Sequence, residues 1–223
     1  MTTTKARPRP HRAAPPSKRL PILPLAIGAV VVVLAIGLAI ALAAGGEDTP
    51  TNGDLAAFAP VTVQGTNLTG FTATEGDPAA GAESPLLVGE TPEGTAVEVG
   101  GTSAGEPTLI AFLAHWCPHC QAELPLLVDL QEEGAFDDIR TVAVLTGTDE
   151  AAPNFPPADW LQEEGWAGDV LVDDEAMTAA TAYGLAGYPF LVMLDADGRV
   201  VTRTSGELPA EDVVALVETA SAG

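Results

Sequence analysis

The sequence predicts an α/β protein, a central mixed β-sheet flanked by helices, and three observations predict it. Thr108–Ala114 is a continuous apolar run of the kind buried on both faces of a sheet. It leads into a segment with apolar residues at helical spacing: Ala122, Leu124, Leu127 and Leu130. Strand-like and helix-like segments then alternate to the C-terminus, the pattern of helices layered on a sheet. Roughly 130 residues take part, enough for one independent core.

Taken in order, Thr95–Val99 reads as a short strand before the turn Gly100-Gly101, and Thr108–Ala114 as the central strand. The helix over His119–Gln131 contains Pro125, which predicts a kink about one turn in. Thr141–Leu145 is the next strand, and Pro157–Glu164, opening on a proline pair, is a short helix. Val170–Val172 is a brief strand; Asp173 or Asp174 can cap a helix reaching about Tyr183, where Gly184 stops it. Phe190–Leu194 and Val200–Thr204 flank Asp195-Ala196-Asp197-Gly198, a hairpin signal. Pro209–Ala220 closes the chain as an amphipathic helix with Val213, Val214, Leu216 and Val217 on its apolar side.

The N-terminal part obeys different rules. Residues 1–19 are rich in Pro, Arg and Thr and read as a disordered cytoplasmic tail. Residues 20–44 form the expected transmembrane anchor, built on the uncharged run Leu25–Ala44, whose length matches a hydrocarbon core of about 30 Å. A cleaved signal peptide is the competing reading, with Ala41-Leu42-Ala43 as a small-residue cleavage site, although its apolar region is ordinarily shorter than this run. Lys5, Arg7, Arg9, Arg12, Lys18 and Arg19 all precede the run, which places the N-terminus in the cytoplasm and the rest outside the cell membrane. Residues 45–83 read as a linker and N-terminal extension, and 84–223 as the folded domain.

All 31 Asp and Glu follow the apolar run, against Arg140, Arg199 and Arg203 alone, a formal balance of −28. Such a surface repels nucleic acid and anionic lipid, so nucleic acid is not an expected partner. It suits a cationic partner, or simply solvation in salt or acid.

The chain has two cysteines, three positions apart in Trp116-Cys117-Pro118-His119-Cys120. A Cys-x-x-Cys at a strand-to-helix junction points to thiol–disulfide exchange, and an extracytoplasmic compartment lets a disulfide persist. The nucleophile is the thiolate, and Cys117 at the start of a helix lies among unpaired backbone N–H groups. Pro118 suits the first turn, where its missing N–H is not needed, and a protonated His119 favours a neighbouring thiolate. Cys120, one turn in, is placed to resolve a mixed disulfide. Stabilising the reduced form makes a disulfide more oxidising, so His119 hints at an oxidant. A purely structural cross-link is a weak alternative, because a loop this short removes little unfolded-chain entropy. A copper or zinc site using His115, Cys117, His119 and Cys120 is another, though a second Cys pair is lacking. Downstream, Pro189 in Gly187-Tyr188-Pro189-Phe190 enters an apolar strand, where either a cis peptide or an ordinary strand start accommodates it.

Together these residues resemble the thioredoxin superfamily, and within it the membrane-anchored TlpA-like thiol–disulfide oxidoreductases. The matching runs are Phe112–Pro125, Gly187-Tyr188-Pro189 and Leu194–Val201, within about 84–220. The resemblance implies a thioredoxin-like fold, with Cys117 as attacking thiol, Cys120 as resolving thiol and Pro189 as a cis-proline facing them. It makes Trp116 and Tyr188 parts of the substrate groove, and implies protein thiol or disulfide substrates and a membrane redox partner. No cofactor is expected beyond the redox-active disulfide Cys117–Cys120. The Pro118-His119 dipeptide is similar to that of oxidising DsbA-type enzymes, while the surrounding sequence resembles reductases. Where thioredoxins carry a buried acid, six positions before the first cysteine, this chain has Ala111. Glu123 is the nearby substitute, read from sequence as an exposed helix carboxylate. A copper carrier and a thiol peroxidase are the alternative functions.

Overall fold

The computed structural model describes residues 55–102 and 105–221. The stretches expected as a cytoplasmic tail and an anchor lie outside them; among the described residues no helix is long and apolar enough to cross a membrane. The strands are β1 (Thr62–Gln64), β2 (Leu86–Glu90), β3 (Ala96–Gly100), β4 (Thr108–Leu113), β5 (Arg140–Leu145), β6 (Asp169–Val172), β7 (Phe190–Leu194) and β8 (Val200–Ser205). The helices are α1 (Pro118–Glu132), α2 (Pro157–Glu163), α3 (Thr178–Ala182) and α4 (Ala210–Ser221).

All eight strands join one mixed sheet, in the order β1-β2-β6-β5-β4-β7-β8 with β3 also paired to β2. β4 is central, parallel to β5 and antiparallel to β7. Every residue of β4, β7 and all but the first of β5 is buried, as their unbroken apolar runs require. Side chains of β4 alternate between two cores. Leu109, Ala111 and Leu113 meet Leu124 and Leu127 of α1 and Val213 and Val217 of α4. Ile110 and Phe112 meet Ala179 and Ala180 of α3, Tyr183, and Leu68 and Ala79 from the chain before β2.

The predicted elements from Thr95 onward form, with ends shifted by a residue or two. α1 runs unbroken through Pro125. α3 is shorter than the spacing suggests and begins after Met177, which is left-handed at φ 56°. Both aspartates cap it: Asp173 accepts N–H from Ala179 and Ala180, and Asp174 from Thr178. In the β7–β8 hairpin, Asp195 accepts N–H from Asp197 and Arg199, and Gly198 takes φ +73°.

The stretch read as linker and extension supplies β1 and part of the second core. Leu68 and Ala79 are buried there, and the segment is held by Arg203 of β8. The Arg203 guanidinium is wholly buried; it grips both carboxylate oxygens of Asp77 and donates to the carbonyls of Thr69 and Tyr183 at 2.8 Å. It also lies over the Phe71 ring, 5.6 Å from the centroid. This bidentate pairing holds the Asp77 carboxyl below its usual range, against the opposing effect of burial.

Candidate active site

The site forms where β4 ends. Ala114 and His115 carry the chain out of the sheet, and Cys117 becomes the residue before the first helical turn, in extended conformation at φ −78° and ψ 120°. Pro118 occupies the first turn without costing a hydrogen bond. The Cys117 N–H is used by the Ala114 carbonyl, and its own carbonyl accepts from Gln121. Both thiols are free.

The two sulfurs differ in surroundings. Cys117 keeps 6% of its surface exposed, and its Sγ lies 3.9 Å from the Tyr188 carbonyl oxygen. Cys120 is fully buried; its Sγ accepts the Ala114 N–H at 3.4 Å. Burial pushes the Cys120 thiol well above its ordinary pKa, with Cys117 and Glu123 adding to the effect.

Glu123 corrects the sequence reading of an exposed carboxylate. It is buried, 1% exposed, one turn beyond Cys120. Its Oε2 accepts the Leu208 N–H at 3.0 Å, and Oε1 has no partner. Burial raises its pKa to about 7, with the charge of Glu207 contributing and the Leu208 hydrogen bond opposing. Ala111 lies in the same core as both cysteines, so the acid on this side of the sheet comes from the helix, not the strand.

The Tyr188 loop faces Cys117, and the Tyr188 ring connects it to Trp116, Gly147 and Met177. The Tyr188–Pro189 peptide is cis and presents the Tyr188 carbonyl to the sulfur. Trp116, 38% exposed, donates its indole N–H to the Gly147 carbonyl at 2.7 Å and meets the Tyr188 ring edge-on at 5.9 Å. Gly147 has φ +61°, and a Cβ there would come within 2.4 Å of the Tyr188 hydroxyl. That hydroxyl in turn points at the Met177 sulfur, 3.6 Å away.

His115 is not beside the thiols as a free ligand. It is buried, its Nδ1 donates to the Pro153 carbonyl at 2.7 Å, and its Nε2 accepts the Asp149 N–H at 3.2 Å. A donor on one nitrogen and an acceptor on the other define the neutral Nδ1–H tautomer and occupy both ring atoms. The His115 carbonyl also accepts from Gln121 and Asn154. The residue therefore ties the 147–156 loop to the cysteine run. His119 is exposed and turns its Nδ1 toward the Glu207 carboxylate, not toward a sulfur. Among the described residues no group of three or more His, Cys, Asp and Glu is disposed to hold a metal ion.

The sequence reading did not single out Gly147, Phe155, Met177 or Glu207 as parts of the site. Phe155 lies among Pro153, Pro156 and Pro157, and its exposure, with Trp160 five residues on buried, follows no local period. Glu207 becomes visible only through its contact with His119.

A mixed sheet with a Cys-x-x-Cys at the head of α1, opposite a cis-proline, defines a thioredoxin-superfamily fold. The chain belongs to the Redoxin family, whose model matches residues 74–220. It is 29% identical over 153 residues to the thiol:disulfide interchange protein DsbE homolog of Paracoccus denitrificans, covering 65% of this chain and 80% of that one. It is 32% identical over 111 residues to the thiol:disulfide interchange protein HelX of Rhodobacter capsulatus, covering 49% of this chain and 57% of HelX. The thioredoxin domain of a thiol-disulfide oxidoreductase from Bacteroides vulgatus superposes with a TM-score of 0.51 at 20% identity, over 66% of this chain and 97% of that structure.

Proposed function

We propose that this chain is an extracytoplasmic, membrane-tethered thiol–disulfide oxidoreductase that exchanges disulfides with protein substrates through Cys117 and Cys120. The observation that carries the reading is the asymmetry of the pair: Cys117 reaches the surface at a helix start, whereas Cys120 is sealed behind it. In the reducing direction, Cys117 thiolate attacks one sulfur of a substrate disulfide and expels the other as a thiolate. Cys120 then loses its proton and attacks the Cys117 sulfur, releasing the second substrate thiolate and leaving the Cys117–Cys120 disulfide. Two electrons pass to the substrate, and two protons follow them. The oxidising direction is the reverse.

Glu123 is the group suited to take the Cys120 proton: it is buried on the same side, electrostatically coupled to that thiol, and titrates near neutrality. The Tyr188 carbonyl and cis-Pro189 border the path by which a substrate strand reaches Cys117. Tethering is supported by the apolar run Leu25–Ala44 with its six preceding basic residues. The partner that reloads the cysteines in the membrane sets the net direction of electron flow.

The test is a pair of variants. Cys117→Ser abolishes exchange with a protein disulfide, and Cys120→Ser accumulates a covalent mixed disulfide visible by mass spectrometry. Turnover by Cys117→Ser at the wild-type rate overturns the proposal. Tethering is checked separately: membrane fractions of cells carrying the full chain retain it after carbonate extraction, and external protease removes the domain.

A further inference from the structure

Among the described residues, the large apolar side chains that stand exposed are Trp116, Phe155 and Met177, at 38%, 39% and 41%. Single exposed hydrophobes are ordinary on a protein surface. These three come from separate segments and connect to the cysteine run through Tyr188 and His115. Trp116 adjoins Cys117 in the chain and packs on Tyr188; Tyr188 reaches Met177; and Phe155 lies edge-on to the ring of His115, 6.2 Å away. Exposed apolar side chains linked to the run of a reactive cysteine mark an interaction site. Met adds a flexible, polarizable wall and the aromatics a rigid one.

The surface near these side chains is rich in carboxylates, one of which, Glu207, pairs with His119. Asp149 and Glu150 follow Gly147, Glu175 lies two residues before Met177, and Glu207 stands beside His119; all four are exposed. No arginine is free to offset them among the described residues, because Arg140 pairs with Asp169, Arg199 with Glu83 and Arg203 with Asp77. A negative field around an apolar groove draws cationic partners and repels acidic ones, and exposed aromatic faces add affinity for Lys and Arg.

We infer that the groove around Cys117 takes a protein segment whose reactive cysteine is flanked by apolar and basic side chains. This inference rests on the thiol–disulfide exchange reading and adds a substrate class to it. The apolar neighbours of the cysteine cover Trp116, Phe155 and Met177, while the Lys or Arg side chains reach the outer carboxylates. The exchange is the balanced one described above, protein dithiol plus peptide disulfide giving protein disulfide plus peptide dithiol.

The experiment uses the reduced full chain in detergent micelles and three peptides of equal length, each with one internal disulfide. One is flanked by Leu, Phe and Lys, one by Leu, Phe and Glu, one by Ser and Lys. Each rate is divided by that with dithiothreitol, which removes intrinsic differences in disulfide reactivity. At low salt the Lys/apolar peptide reacts about tenfold faster than the Glu/apolar peptide, and 1 M salt reduces this ratio to within about twofold. The Lys/apolar peptide also reacts about fivefold faster than its Ser counterpart, a ratio that F155S/M177S brings toward one. Neutralising D149N/E150Q/E175Q shrinks the charge ratio at low salt. Equal normalised rates for the three peptides overturn the inference while exchange itself stands. Failure to react with any peptide or with glutathione disulfide overturns the exchange reading, and this one with it.

Discussion

Glu123 stands one helical turn beyond Cys120, and the carboxyl and the thiol are both closed off from water on the same side of α1. The Glu123 charge makes the Cys120 thiolate harder to reach, and burial separately raises the pKa of both groups. A dry acid titrating near pH 7 beside the resolving thiol gives the site a protonation step in the physiological range.

Replacing Glu123 by Gln tests that step on two readouts. The second half-reaction, release of substrate from the Cys117 mixed disulfide, slows by about 10²-fold at pH 8 and loses its inflection near pH 7; stopped-flow kinetics between pH 5.5 and 9 follow it. Stability moves the other way. A carboxyl whose folded pKa of about 7 exceeds its unfolded value of 4.5 costs the folded state progressively more as pH rises between the two, reaching about 3 kcal/mol above pH 7. Urea unfolding at pH 5 and pH 8 therefore shows a smaller pH-dependent loss in Glu123→Gln than in the wild type.

Glu207 holds His119 away from the cysteines. Removing that carboxylate by Glu207→Gln frees the imidazole to face a thiolate, which stabilises the reduced form and makes the disulfide more oxidising. Because the pair is exposed, the effect is modest, a reduction potential less negative by about 5–20 mV. Equilibration in glutathione buffers measures it. An unchanged potential means that His119 does not reach the site.

Gly147 sustains the Trp116–Tyr188 wall. Its left-handed backbone and the close approach of the Tyr188 hydroxyl leave no room for a Cβ. Gly147→Ala displaces Tyr188, loosens the indole hydrogen bond and costs about 1–3 kcal/mol in stability. Exchange with a protein substrate is slowed several-fold more than exchange with dithiothreitol; thermal melts and paired kinetics read both.

The Asp77–Arg203 pair is a buried, bidentate fastening of the chain before β2. Asp77→Asn leaves the Arg203 charge buried and incompletely paired, and lowers unfolding stability by about 3–5 kcal/mol. The sign of the pH effect follows from the depressed Asp77 pKa: its contribution is present above the unfolded value of 3.8 and is lost as pH falls through the lower folded one. The wild type therefore loses part of its advantage over Asp77→Asn below about pH 4, as acid unfolding curves will show.

Much of this was legible in the chain. Unbroken apolar runs at Thr108–Leu113 and Phe190–Leu194 read as buried strands, and the Asp195–Gly198 turn as a hairpin joining two of them, and they form so. Cys117 and Cys120 declared themselves by spacing at a strand-to-helix junction, because local chemistry there depends on the adjacent helix start. β1 and β2 were not read as strands, since segments of three and five residues carry no resolvable period until partners select them.

What the sequence by itself determined was the order of elements, the position of the cysteine pair and the segregation of charge. These depend on neighbours within a few residues or on composition. Tertiary structure alone decided that Glu123 is buried, that His115 spends both nitrogens on the 147–156 loop, that Glu207 claims His119, and that Arg203 closes over Asp77. Each of these relations joins groups far apart in the chain or depends on what packs over a helix face. The same carboxylate or imidazole is a solvated charge or a dry acid according to what covers it, and no local pattern encodes that cover.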